Sequence, residues 1–265
     1  MDCTTSVAVD IGGTWTRVGS AARFRTDPDY DRQLAAITGA VPPGPEPAAV
    51  SFCGRVTPDG TVRVALNLRG YEGRPLGRDL AAALGRPVRV AHDATCGLLG
   101  EATAGALRGF ERCGYLTLST GVGAALRLGG VYLTTEAGHQ LVAGNDLPCE
   151  CGQTGCLQTL TGGDALRRRL GRPLESVEDA SFWRMYAGSL ALGVANFALS
   201  AGLEAVAIGG AIALRRAELW PALRAELARV ATYQPVEVVP AALGEAAPLA
   251  GARALWSLPE GAVLH

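Results

Sequence analysis

The sequence predicts an α/β protein made of two similar halves, each built around a mainly parallel sheet. Short apolar runs alternate with helical patterns along the chain, which is typical of strands whose faces are covered by helices. Each half opens with a strand, a turn of glycine and threonine, and a further strand, at 7–18 and at 115–128. We therefore expect two lobes with a central ligand cleft.

The composition is that of a folded protein without a strong charge field. Apolar residues make up 48% of the 265 residues, charged residues make up 18%, and the formal net charge is −1. This balance does not favour binding to nucleic acid or to an anionic membrane. The acidic Asp2 comes too early for a secretory signal, and polar residues interrupt the apolar stretches around 187–214. We expect a cytoplasmic protein that binds neither nucleic acid nor membrane.

The elements follow from local patterns. In the first half the apolar periodicity predicts strands at 7–11, 16–25, 48–53, 59–67 and 87–91 and helices at 30–38, 76–84 and 94–104. In the second half it predicts strands at 115–128 (two, joined at 120–123), 131–133, 205–208 and 236–239 and helices at 159–170, 181–201, 216–231 and 246–256. We expect an N-terminal lobe over 1–105, joined by the C-terminal helix 246–265, and a C-terminal lobe over 106–245 with a metal loop at 136–158.

The first turn is VAVDIGGT at 7–14. Gly12 and Gly13 let backbone N–H groups approach phosphate oxygens, and the Thr14 hydroxyl adds a donor. Asp10 ends the strand and can hold Mg²⁺ directly or through water. An ordinary strand-to-turn junction would give the same pattern, and neither the Rossmann nor the P-loop fingerprint is present.

Two further glycine turns lie in the second half. In LSTGVGAAL, at 118–126, Thr120 and Gly121 are candidates for an opposing phosphate clamp, although a plain hairpin turn explains them too. In EAVAIGGAI, at 204–212, Gly209 and Gly210 follow a buried strand and would let an adenine ring lie against the backbone. A simple strand-to-helix turn is the alternative there.

Asp93 in AHDATCGLLGE, at 91–101, lies where an apolar strand ends and a helix begins. It is either a helix N-cap or a carboxylate at the strand end, where α/β sites tend to lie. In the second case it can accept the proton of an attacking hydroxyl during phosphoryl transfer.

The most specific motif is EAGHQLVAGNDLPCECGQTGC, at 136–156. It supplies one imidazole and three thiols, which is a tetrahedral set suited to zinc: His139, Cys149, Cys151 and Cys156. Gly152 and Gly155 permit the tight turns of a metal knuckle. With four protein ligands the zinc would be structural, and the second ring nitrogen of His139 would stay available beside Glu136.

Together these motifs resemble the ROK family of bacterial sugar kinases and regulators. The resemblance runs nearly end to end and rests on DIGGT, NLRGYEGRPL at 67–76, HDATCGLLGE, STGVG, EAGH, CECGQTGC and IGGAI. It implies a duplicated actin-like, ribonuclease H-like ATPase fold of two lobes, with ATP and Mg²⁺ as the phosphoryl donor and a sugar or sugar-like polyol as the acceptor. It also implies a homodimer.

The resemblance also implies roles by position. Asp93 would be the catalytic base, and Asp10 would act near Mg²⁺. The phosphates and nucleotide would lie against Gly12, Gly13, Thr14, Thr120, Gly121, Gly209 and Gly210. The substrate would be bound by Gly54, Arg55, Asn67, His92, Asp93, Glu136, His139 and Gln158.

Three departures from the family pattern bear on the substrate. His92 stands where family members usually have Asn, Gln158 where they usually have Glu, and Gly54-Arg55 where many have Gly-Pro. These changes favour a modified hexose, an amino sugar or a cyclitol over glucose. The alternative is a catalytically silent regulator that binds sugar or nucleotide, although the first strand begins too early for a preceding helix-turn-helix.

Overall fold

The computed structural model describes residues 6–265, which divide into two compact units. Unit 1 contains residues 6–105, Gly130–Thr134 and Ala246–His265. Unit 2 contains Ala106–Gly129 and Thr135–Glu245. Within residues 6–265, every helix is too short or too polar to cross a membrane.

Strands and helices alternate along the described chain. The strands are β1 (Val7–Ile11), β2 (Trp15–Val18), β3 (Ala22–Arg25), β4 (Ala48–Phe52), β5 (Arg55–Val56), β6 (Val62–Val64), β7 (Val88–His92), β8 (Arg112–Leu118), β9 (Val122–Leu128), β10 (Val131–Thr135), β11 (Ala205–Gly209), β12 (Glu237–Pro240) and β13 (Val263–Leu264). The helices are α1 (Tyr30–Ala40), α2 (Leu76–Leu84), α3 (Asp93–Ala104), α4 (Leu157–Thr161), α5 (Gly163–Leu170), α6 (Ala180–Ala201), α7 (Gly210–Arg215), α8 (Leu219–Val230) and α9 (Ala247–Ala254). The α/β prediction is thereby confirmed.

Unit 1 is organised by a five-stranded sheet with the order β3-β2-β1-β4-β7. The hairpin strands β1, β2 and β3 are antiparallel, whereas β1, β4 and β7 are parallel. Every residue of β4 is buried, as expected of a central strand covered on both faces. This order brings the carboxyl ends of β1, β4 and β7 to one edge, where Asp10 and Asp93 lie.

A close helix pair supports that edge. Helix α9 packs on α3 so tightly that a Cβ on Gly251 would lie 1.7 Å from the carbonyl oxygen of Cys96. A Cβ on Gly100 would lie 2.5 Å from the carbonyl oxygen of Ala247. Both positions therefore require glycine, and α9 holds the helix that begins at Asp93.

Unit 2 repeats the same plan. Its strands have the order β12-β11-β8-β9, with β8 and β9 antiparallel and β8, β11 and β12 parallel. In unit 1 the order β7-β4-β1-β2 has the same alternation of parallel strands and one hairpin. The two glycine-threonine turns join the equivalent hairpins, β1 to β2 and β8 to β9.

Several predicted boundaries were wrong. The strand predicted at 59–67 contains only β6, followed by the 3-10 turn Arg69–Tyr71. The helix predicted at 159–170 is divided because Gly162 adopts an extended conformation, with ψ 138°, between α4 and α5. Helix α7 was missed because it starts directly at Gly210, without a capping side chain to signal it.

Candidate active site and metal centre

The first turn, Gly12–Thr14, is held in place by side chains from the next elements of unit 1. The Thr26 hydroxyl donates to the carbonyl oxygen of Gly12 at 2.7 Å and lies 2.9 Å from the Thr16 hydroxyl. The buried Gln33 amide donates to Thr16 at 2.7 Å. Gly13 and Thr14 remain exposed. These hydrogen bonds therefore fix the turn on its protein side, while its exposed side is accessible to a phosphate.

Asp10 is almost fully buried at the end of β1. One carboxylate oxygen accepts from Nη2 of Arg17 at 2.7 Å and from Nε at 3.1 Å. The other oxygen accepts from the hydroxyl of the buried Ser51 at 2.7 Å. Each oxygen of this carboxylate thus has a protein partner, and its role near Mg²⁺ stays a prediction.

Asp93 is the first residue of α3, and His92 before it occupies the N-cap position. The backbone N–H of Ala94 lies 3.2 Å from Nδ1 of His92 and 2.7 Å from Oδ1 of Asp93. Nδ1 of His92 also lies 3.2 Å from Oδ1 of Asp93, so the imidazole, the carboxylate and the Ala94 N–H form one cluster at the helix start. The N-cap interpretation of Asp93 was therefore wrong by one residue.

Two thiols, the half-buried Cys53 and the buried Cys96, both experience the charges of Asp10 and Asp93. Burial raises the pKa of Cys53 well above its usual value, and the carboxylates of Asp93 and Asp10 raise it further. Burial and the same two carboxylates also raise the pKa of Cys96. Both thiols are therefore protonated at neutral pH, and they add no charge near the two acids.

The other unit 1 candidates lie around the first turn and after β4. A Cβ on Gly13 would lie 3.0 Å from the Cβ of Asn67, so Asn67 lies against the turn. A Cβ on Gly54 would lie 2.5 Å from the carbonyl oxygen of Val64, so packing alone is enough to require glycine at this position. Arg55 follows it on β5 and is exposed.

The second turn, Ser119–Gly121, is held mainly by backbone groups of unit 2. Ser119 N–H donates across the turn to Gly121 at 3.0 Å. The first residues of α5 donate hydrogen bonds to its carbonyl groups. Gly163 N–H donates to the carbonyl oxygen of Ser119 at 2.8 Å, and Asp164 N–H donates to that of Thr120 at 2.9 Å. Thr120 is exposed, so this turn also presents an open face.

Gln158, on α4, touches the same turn. Its carbonyl oxygen Oε1 accepts from the backbone N–H of Val122 at 2.9 Å. A Cβ on Gly121 would lie 2.7 Å from that oxygen. The absence of a side chain at Gly121 therefore makes room for Gln158.

Gly209 and Gly210 pack against β8. A Cβ on Gly209 would lie 2.4 Å from the Tyr115 hydroxyl, and one on Gly210 would lie 2.3 Å from the carbonyl oxygen of Leu118. Gly210 also has a φ of +85°, which side chains disfavour. Protein packing therefore accounts for both glycines, and their role toward adenine stays a prediction.

The four predicted metal ligands converge in unit 2. The ligand atoms of His139, Cys149, Cys151 and Cys156 all lie within 4.8 Å of one another. The sulfurs of Cys151 and Cys156 are 3.7 Å apart, and Nδ1 of His139 is 3.6 Å from the Cys149 sulfur. Tetrahedral zinc with ordinary bond lengths requires about 3.8 Å between sulfurs and about 3.6 Å between nitrogen and sulfur. The residues therefore fit zinc.

The knuckle that carries the thiols has the expected glycine turns. Gly152 and Gly155 have φ values of +93° and +90°. Cys149 N–H donates to Gln153 at 2.8 Å, and Gly152 N–H donates back to Cys149 at 3.0 Å. Burial raises the pKa of the Cys156 thiol to about 12, with further contributions from Cys151 and Cys149. A bound cation would offset this cost of forming a thiolate.

His139 directs its two ring nitrogens differently. Nδ1 faces the thiols, whereas Nε2 lies 4.0 Å from Oε2 of Glu136. Nε2 is thus the nitrogen on the side of Glu136, as the predicted double role of this imidazole requires.

The sequence analysis missed the residues that support the site. Arg17 and Ser51 bind Asp10, and Gln33 supports the first turn. The only available signals were polar residues at positions with strand or helix patterns that favour burial. Such residues need partners, but the pattern does not name them.

The sequence profile of the ROK family matches residues 7–258. The chain is 32% identical over 187 residues to the glucokinase of Thermotoga maritima, an alignment that covers 62% of this chain and 59% of that protein. It is 31% identical over 187 residues to the N-acetyl-D-glucosamine kinase of Citrobacter koseri, covering 59% of this chain and 61% of that protein. These alignments span about three fifths of each curated relative.

Among solved structures, the ROK hexokinase of Thermus thermophilus superimposes with a TM-score of 0.79 at 29% identity. The match covers 94% of this chain and 96% of that one. The actin-like α/β fold class implied by the resemblance is therefore confirmed.

Proposed function

This chain belongs to the ROK family, and from that premise we propose that it is an ATP-dependent kinase of a sugar or sugar-like polyol. The observation that carries the proposal is Asp93, a carboxylate at the start of α3 on the same sheet edge as Asp10 and the first glycine turn. A protein that only binds sugar has no need of a base at this position. The relatives named as kinases support the same activity.

In the proposed reaction, a substrate hydroxyl attacks the γ-phosphorus of ATP. The new bond forms between that oxygen and phosphorus, and the bond to the leaving oxygen of ADP breaks. Asp93 accepts the hydroxyl proton as the phosphoryl group moves in line. The Ala94 N–H, which contacts Oδ1 of Asp93 at 2.7 Å, fixes the direction of the carboxylate.

We propose the two glycine turns, each within its own unit, as phosphate contacts. In unit 1 the contacts are Gly12, Gly13 and Thr14, and in unit 2 they are Thr120 and Gly121, because each turn has an exposed face. Mg²⁺ would neutralise charge on the phosphates, with Asp10 reaching it through water. Gly209 and Gly210 would border the adenine through their backbone.

We propose substrate contacts in each unit taken by itself. In unit 1 they are Gly54, Arg55, Asn67, His92 and Asp93. In unit 2 they are Glu136, His139 and Gln158. The names of the relatives make hexoses and N-acetylhexosamines the first compounds to test. His92 would contact a substrate oxygen through its ring nitrogen Nε2.

Zinc is proposed as a structural ion held by His139, Cys149, Cys151 and Cys156. Four protein ligands complete a tetrahedral shell, so the ion would not bind a reactive water. Its contribution would be to fix the loop that carries Glu136 and His139. The match between the ligand distances and tetrahedral zinc supports this assignment.

The test is a coupled assay of ADP release with metal-replete protein, MgATP and a panel of hexoses, N-acetylhexosamines, amino sugars and cyclitols. Asp93→Asn should lower kcat by at least about 100-fold, the usual scale of general-base catalysis. Asp179→Asn is the matched control, because Asp179 caps α6 and asparagine caps equally well. Absence of turnover across the panel, with zinc bound and the protein folded, would favour a ligand-binding regulator.

A further inference from the structure

Val122, the first residue after the second turn, is enclosed by both ends of the metal loop. Upstream, Gly138 precedes the metal ligand His139 and packs so closely that a Cβ on it would lie 2.2 Å from the carbonyl oxygen of Val122. Downstream, Gln158 follows the metal ligand Cys156 and accepts the Val122 N–H at 2.9 Å. The carbonyl oxygen and the N–H of Val122 therefore face two residues, Gly138 and Gln158, that lie within two positions of a metal ligand.

The position of Gln158 is set by the metal loop. Helix α4 begins directly after Cys156, which is fully buried. Nδ2 of Asn145, within the loop, donates to the carbonyl oxygen of Cys156 at 3.1 Å and to Oγ1 of Thr159 at 2.9 Å. Leu157 N–H donates to Gln140, next to His139, at 2.8 Å. Hydrogen bonds therefore connect the start of α4 to the metal loop at two places, Asn145 and Gln140.

Helix α5, which follows α4 after Gly162, binds the rest of the turn. Gly163 and Asp164 donate their N–H groups to the carbonyl oxygens of Ser119 and Thr120. The carbonyls of the turn are thereby used by α5, and the N–H of Val122 is used by Gln158. Phosphate binding then depends on the backbone N–H groups at the exposed tip of the second turn. The contacts with α5 and Gln158 set the geometry of that tip.

We propose that Gln158 is a positioning residue for phosphoryl transfer, which ties the second phosphate turn to the metal loop. This inference rests on the proposed kinase function and gives Gln158 a role beyond the sugar contact implied by the family resemblance. The metal centre, α4 and the turn act as one rigid piece, so metal binding preorganises the turn for the nucleotide. The amide oxygen does this without placing a negative charge next to the phosphates.

The experiment compares three variants with the wild type. Gln158→Met keeps the size of the side chain but removes the oxygen acceptor, whereas Gln158→Glu retains an acceptor. Gln234→Met is the matched control, because the Gln234 amide also bonds the backbone: its Nε2 donates to the carbonyl oxygens of Ala198 and Leu203, away from the turn. The readouts are hydrogen exchange of the peptide that covers 118–123, the Kd of MgAMPPNP by calorimetry, the Kd of glucose and the zinc content.

Gln158→Met should exchange faster at 118–123 and raise the Kd of MgAMPPNP on the order of 3- to 10-fold, the scale of one hydrogen bond. Its zinc content should match the wild type, and a loss of glucose affinity should occur only together with the loss of nucleotide affinity. Gln158→Glu should restore slow exchange, and Gln234→Met should leave both readouts unchanged. Removing zinc from the wild type by chelation should accelerate exchange at 118–123, with little further change in Gln158→Met.

Unchanged exchange and unchanged nucleotide affinity in Gln158→Met would overturn the inference. So would a weaker affinity for glucose with normal nucleotide affinity and normal exchange, because Gln158 would then act as a substrate contact only. A wild type that fails to bind MgAMPPNP at all would instead overturn the proposed function. The exchange comparison needs no nucleotide, so the two failures are distinguishable.

Discussion

The two glycine-threonine turns occupy equivalent hairpins but are stabilised by different means. The turn at Gly12–Thr14 is supported by a network of neutral side chains, Thr16, Thr26 and Gln33. The turn at Ser119–Gly121 is supported by backbone groups of α5 and by Gln158, next to the metal loop. The two hairpins therefore occupy equivalent places in their sheets but have different supports.

This difference predicts different sensitivities. The first turn should respond to loss of side-chain hydrogen bonds within unit 1 and not to metal. The second should respond to metal and to residues of the loop. The predictions that follow test this contrast, from the largest expected effect to the smallest.

Cys156→Ser should have the largest effect. Loss of a buried thiolate ligand should remove zinc and lower the free energy of unfolding by more than about 3 kcal/mol. Thermal unfolding and zinc content measure the loss, and hydrogen exchange should accelerate at 118–123 but not at 12–16. Cys113→Ser, a buried cysteine outside the cluster, should retain full zinc. Full zinc in Cys156→Ser would contradict the assignment.

Gly138→Ala should be next. Its methyl group would lie 2.2 Å from the backbone oxygen of Val122, which cannot move as freely as a side chain. We expect a loss of about 3 kcal/mol, the upper end of ordinary overpacking. Gly188→Ala is the control, because nothing lies within 4 Å of its added Cβ in helix α6. Equal urea midpoints for the two variants would show that the contact at Val122 is loose.

Gln33→Met tests the first turn. It removes the donor to Thr16 and leaves the N–H of Asp27, which donates to Gln33 at 2.8 Å, without that acceptor. The expected loss is about 1–2 kcal/mol, measured by urea unfolding. Exchange should accelerate at 12–16 and stay unchanged at 118–123. Acceleration at both turns would remove the contrast between them.

Gly13→Ala and Gly121→Ala should have the smallest effects on stability. At Gly121 the new methyl group meets the movable end of the Gln158 side chain at 2.7 Å, and at Gly13 it meets the Cβ of Asn67 at 3.0 Å, which needs a shift of only a few tenths of an ångström. We expect each to lower the free energy of unfolding by less than about 1 kcal/mol. Gly121→Ala should be the more harmful to MgAMPPNP affinity, because it displaces Gln158 from Val122. The opposite ranking would weaken the role given to Gln158.

The sequence by itself determined the α/β class, the two turns and the metal ligand set. These features are local, because a strand and its turn span a few residues and the four metal ligands lie between His139 and Cys156. Apolar periodicity and clustered ligand types report such features directly. Asp93 at a strand-to-helix junction was found for the same reason.

Only the tertiary structure decided what each side chain contacts. Ser51 reaches Asp10 across 41 residues and Gln158 reaches Val122 across 36. The place of His92 as the N-cap of α3 depends on a contact with a single backbone N–H, that of Ala94. Hydrogen bonds require atoms within about 3 Å and the correct orientation, and no periodicity of the sequence encodes distances between remote residues. The packing of strands and helices sets those distances, so the supports of the site emerged only from the folded chain.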